Sequence, residues 1–67
     1  MKLYEIPKLS KIVVPLSDGS LFLIFHKIDG AYSYCVTENG SVIHLSANTE
    51  LEKIEEKTYK LTREELI

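Results

Sequence analysis

All three glycines of the chain directly follow an aspartate or an asparagine, as Asp18-Gly19, Asp29-Gly30 and Asn39-Gly40. Such pairs tolerate positive φ and favour the type I′ turns that close two-residue β-hairpins. The segments around them, residues 12–16, 21–28, 31–37 and 42–45, are rich in β-branched and aromatic side chains, the composition of strands. The pattern predicts an antiparallel meander of four strands joined by three tight turns.

Turn length decides which residues face each other across a hairpin, so a two-residue loop at each dipeptide also predicts a register. It sets Leu16 opposite Leu21, Val14 opposite Leu23 and Ile12 opposite Phe25. Leu23 then lies beside Val36, Phe25 beside Tyr34, Val36 beside Ile43 and Tyr34 beside Leu45. One face collects Ile12, Val14, Leu16, Leu21, Leu23, Phe25, Tyr32, Tyr34, Val36, Ile43 and Leu45, all apolar or aromatic. That face is the expected core, and a one-residue slip in any turn is expected to break its agreement. The opposite face mixes Lys11, Val13, Pro15, Phe22, Ile24, His26, Ile28, Ala31, Ser33, Cys35, Thr37, Val42 and His44. It is too apolar to be wholly solvated, and three covers are open to it: the N-terminal segment with Leu3, Tyr4, Ile6 and Leu9, the C-terminal segment, or a second copy of the chain.

Beyond the meander, residues 46–52 read as a helix start, with Thr49 and Glu52 at capping-box spacing and Leu51 and Ile54 as a short apolar stripe. Thr58 to Leu61 alternates as a fifth strand would, a reading favoured over continuation of the helix. Thr62 and Glu65 repeat the capping-box spacing just before the end. The whole reads as one mainly β domain, 1–67: a small SH3-like barrel or a curled antiparallel meander of 4–5 strands with one short helix near the C-terminus. The likeness to SH3-like domains is one of strand count and turn spacing, not of motif.

Sixty-seven residues bury only about 60% of the surface of the unfolded chain, so such domains usually need a staple or very consistent packing. The single cysteine, Cys35, cannot form an internal disulfide, which favours a reducing, cytoplasmic setting. The longest apolar run, residues 21–25, is far short of a membrane span, and residues 1–7 lack the apolar core of a signal peptide. Net charge is −2, with residues 1–37 slightly basic and the glutamate-rich remainder acidic, a poor balance for binding nucleic acid through charge alone.

The register brings Cys35 opposite His44 with His26 diagonal to Cys35, which raises a zinc-type site or a Cys–His nucleophile. A fourth ligand, an orienting acid and an oxyanion loop are all missing from the pattern, and an unpaired cysteine commonly serves as a small buried hydrophobe. Neither metal, cofactor nor catalysis is expected. Lys11, His26, Lys27, Tyr32 and Ser33 gather at the open end of the first hairpin, where lysine beside tyrosine could hold single-stranded nucleic acid through the Lys11, Lys27 and Tyr32 patch. The favoured expectation is a small non-enzymatic interaction module or regulator. It would bind a protein partner, or itself as a homodimer, through Phe22, Ile24, Ile28, Val42 and His44 of the mixed face or through an edge strand.

Overall fold

The computed structural model describes residues 1–62; the Thr62–Glu65 capping-box reading lies outside them. A 3₁₀ turn, Leu3–Glu5, precedes six strands: β1 Lys11–Leu16, β2 Gly19–Asp29, β3 Tyr32–Thr37, β4 Val42–Ile43, β5 Leu51–Glu55 and β6 Thr58–Leu61. They form one mixed sheet in the order β4-β3-β2-β1-β6-β5. All neighbours are antiparallel except β1 and β6, which run parallel with Ile12 beside Tyr59. The sheet is not closed: β4 and β5 are its two ends, so the barrel and SH3-like readings give way to an open sheet.

The meander and the strand at residues 58–61 form as the sequence predicts, but the register moves. In the first hairpin Ile12 faces Leu23, Val14 faces Leu21 and Leu16 faces Gly19. The loop is thus Ser17-Asp18, one residue earlier than the Asp-Gly pair. Moving a two-residue loop by one position shifts the pairing by two residues, so every side chain keeps its face. The expectation that any one-residue slip destroys the core was therefore too strict.

The bulge that follows the second turn and the length of the third turn do change faces. The loop Gly30-Ala31 leaves Asp29 opposite Tyr32 and Lys27 opposite Tyr34, and a bulge between Phe25 and Lys27 then brings Phe25 opposite Cys35 and Ile24 opposite Val36. An extra residue on one strand reverses which side of the partner faces inward. Ser33 and Cys35 accordingly become fully buried, whereas Tyr32 is 56% exposed and Tyr34 and Val36 are half-buried. The third loop spans three residues, Glu38, Asn39 and Gly40: Thr37 N–H donates to the Ser41 carbonyl, and Gly40 holds a φ of 91°. That reverses the face again, so Cys35 pairs with Ile43 and Val36 with Val42. Two reversals cancel, and Ile43 reaches the core side as expected.

No helix forms at residues 46–52. Thr49 Oγ1–H donates to the Ser46 carbonyl in a turn, while Glu52 pairs with Lys60 across the β5–β6 hairpin. Glutamate and lysine favour helix over strand, but pairing with β6 and burial of Leu51 decide the outcome. Among the described residues no helix is long and apolar enough to cross a membrane.

One side of the sheet holds the core: Leu3, Ile6, Ile12, Val14, Leu23, Phe25, Cys35, Leu51, Tyr59 and Leu61. The N-terminal segment covers this side, not the mixed face. Leu3 N–H donates to the Thr49 carbonyl and Leu51 N–H to that of Met1, so Leu3 and Ile6 fill the hollow of the sheet. Glu50 pins the same segment, accepting from Lys2 Nζ at 2.8 Å and from the α-ammonium of Met1 at 3.3 Å. Hydrogen bonds from Lys2 and then from the N-terminus hold its carboxyl below the usual carboxylate range. A depressed folded pKa contributes stability that is present above the unfolded value and lost as pH falls through the folded one.

Two outcomes follow in denaturant titrations. Leu23→Ala, at a fully buried position, costs about 2–5 kcal/mol, and Ile24→Ala, its neighbour on the other face, costs less than about 1. Glu50→Gln flattens the decline in stability below pH 4.5, the ordinary value for this carboxyl; an unchanged acid limb would mean that the pin is not formed.

Candidate functional site

Among the described residues, the side of β1–β4 that faces away from the core combines apolar and polar groups in register. Lys11, Ile24, Val36 and Val42 form one row across four strands, since Lys11 faces Ile24, Ile24 faces Val36 and Val36 faces Val42. Val13 and Phe22 face each other in the next row. Phe22, Ile24 and Val42 are 38%, 37% and 43% exposed. Aliphatic side chains in adjacent strands lie close enough to make one continuous apolar surface.

A second cluster borders that row. The Tyr34 ring meets His26 edge-on at 6.3 Å and His44 at 5.7 Å between centroids. His44 Nδ1–H donates to the Ser33 carbonyl at 2.9 Å, which fixes the ring orientation. Each of two lysines sits on an aromatic ring: Lys11 Nζ lies 5.1 Å from the Phe22 centroid and Lys27 Nζ 5.7 Å from that of Tyr34. At exposed sites such contacts contribute about 0.5–1 kcal/mol, enough to favour one position for the ammonium.

The structure thus brings together three of the five predicted contact residues, Phe22, Ile24 and Val42. His44 adjoins them through Tyr34. Ile28 does not belong: beyond the bulge it pairs with buried Ser33, on the other side of β2. Of the predicted nucleic-acid patch, Lys11 and Lys27 serve different rings, and Tyr32 stands exposed beside Asp29 at the hairpin end. Ser33 leaves that patch for the core. Tyr34 and Val36, expected in the core, are gains to the outer surface. One signal did announce them: strict alternation after Leu21, Leu23 and Phe25 would have driven Lys27 and Asp29 into the core, which calls for an irregularity between Phe25 and Lys27.

The Cys35, His26 and His44 constellation is not assembled. Cys35 faces Ile43 in the core, while both imidazoles flank Tyr34 outside. Among the described residues no three His, Cys, Asp or Glu side chains stand where they could hold one metal ion. Burial pushes the Cys35 thiol up, with the Ser33 hydroxyl at 3.3 Å partly opposing this. A buried thiol held protonated is a poor nucleophile.

The two edges of the sheet are poorly suited to strand addition. β4 is only two residues long, and β5 carries Glu52, Lys53 and Glu55, the short and charged edges that resist pairing with another chain. Comparison with protein-family models, with curated proteins and with solved structures finds no match.

Labelling of Cys35 by a disulfide reagent near pH 8 is expected to be roughly 100-fold slower in the folded protein than in denaturant. Equal rates would place the thiol outside the core and restore the unbulged register.

Proposed function

We propose that this chain is a small, non-enzymatic interaction module of the cytoplasm that binds a protein partner through the face of β1–β4 that points away from the core. The observation that carries this reading is the in-register row of Ile24, Val36 and Val42 beside Phe22, open to solvent on a domain whose core is already complete on the other side. Contiguous apolar patches of this kind, rimmed by polar groups, are characteristic of protein interfaces. Aromatic side chains at the rim, here Tyr34 and Tyr32, are enriched there as well. The guarded edges favour face-on docking over strand addition.

The reading predicts that proteins co-purifying with the wild-type chain from its native cells are lost with Phe22→Asp and Ile24→Asp. They are retained with Glu52→Lys, at the far border of the sheet, and circular dichroism shows all three variants folded. Retention of the same proteins by the Asp variants would contradict it. Self-association is the second version of this reading, tested by sedimentation equilibrium of the wild type against Ile24→Asp.

A rival reading uses the same face for single-stranded nucleic acid, supported by the lysines seated on rings and by exposed Tyr32. It requires an oligonucleotide shift at low salt that weakens steeply with added salt and with Lys11→Glu or Lys27→Glu.

A further inference from the structure

We propose that the protein segment docking on this outer face is acidic as well as apolar, its carboxylates placed by Lys11 and Lys27; this rests on the docking reading above and adds the chemistry of the partner. Both lysines stand within or beside the apolar row, and both are positioned: Lys11 by Phe22 and Lys27 by Tyr34. Among the described residues neither makes an ion pair, although Lys2 and Lys53 each find a glutamate. The acids on this side lie towards its margins: Glu52 opposite Lys60, Glu55 opposite Thr58, which separates it from Lys11, Asp29 opposite Tyr32, and Glu38 in the third turn, which lines a hollow with Phe22. His26 and His44 add two imidazoles around Tyr34. The middle of the face therefore offers cations, aromatic faces and aliphatic surface with no carboxylate of its own.

Complementarity of charge selects the partner. A second copy docked through the same patch about a two-fold axis would bring this cationic centre against itself, an arrangement that like charges oppose. A nucleic-acid strand carries a phosphate at every nucleotide and calls for a denser basic track than two lysines on a chain of net charge −2. A protein segment with one or two carboxylates beside aliphatic or aromatic side chains matches the sparse charge and the apolar row. Lysine over a ring is also a ready binding geometry, because little freedom remains to be lost when the carboxylate arrives.

The test is selection of random peptides against the full chain, followed by amide NMR titration with a selected peptide and, in parallel, with an oligothymidylate. The expected peptides carry Asp or Glu within two positions of an aromatic or aliphatic residue, and they shift amides of β1–β4. The Lys11→Glu/Lys27→Glu double variant, folded by circular dichroism, weakens binding at least about tenfold, whereas Lys57→Glu in the β5–β6 turn leaves it within about twofold. Peptides that bind this face without acidic enrichment, or that tolerate the double variant, overturn the proposed chemistry while leaving the docking reading standing. Failure to select any peptide, or shifts confined to other elements, overturns both. Tighter binding of the oligothymidylate at this face assigns it to nucleic acid and overturns both as well.

Discussion

The bulge between Phe25 and Lys27 is the constraint on which the rest of this small sheet depends. One extra residue in β2 turns β3 over, so the narrow side chains of Ser33 and Cys35 point to the hollow side and the larger Tyr34 and Val36 to the outside. The exchange suits the volume available. The hollow must also hold Leu3 and Ile6 from the N-terminal segment, and interiors are packed close to crystal density. Two tyrosines on β3 would compete for that space, and their hydroxyls would need partners there. Ser33 is satisfied in place, since Leu45 N–H donates to its hydroxyl at 3.1 Å. The same turnover assembles the outer surface: without it Val36 could not join Ile24 and Val42, and Tyr34 could not sit between two histidines.

Much of the architecture was legible because it is local. Gly19, Gly30 and Gly40 marked the three turns of the meander, and the alternation of Tyr59 and Leu61 around Lys60 marked a last strand. Ile12, Val14, Leu23 and Phe25 were legible as core too, since moving the first loop by one residue preserved their faces, whereas Leu16, at the hairpin end, is 49% exposed. What escaped is non-local. Nothing in residues 58–61 announces a parallel partner as distant as β1, because parallel pairing is set by the crossover as a whole. The segment 49–55 has helical composition, yet β6 pairs with it and Leu51 is buried. Local propensity yields to tertiary pairing in such cases.

The candidate surface was legible in its aliphatic half and hidden in its aromatic half, for the same physical reason. Phe22 and Ile24 lie before the bulge, where alternation still counts correctly, and Val42 follows the second of two cancelling reversals. Tyr34, Val36 and Cys35 lie between the reversals, where counting by two gives the wrong side. The metal and nucleophile readings of Cys35 fail with that single strand. What remains is a face of aliphatic rows and rings capped by ammonium groups, bounded by edges too short or too charged to pair.

The most direct measurement is of cross-strand proton contacts between β2 and β3 by NMR. The bulged register predicts pairing of Ile24 with Val36 and of Phe25 with Cys35. Contacts of Leu23 with Val36 and of Phe25 with Tyr34 would instead return Tyr34 and Val36 to the core and dissolve the proposed surface.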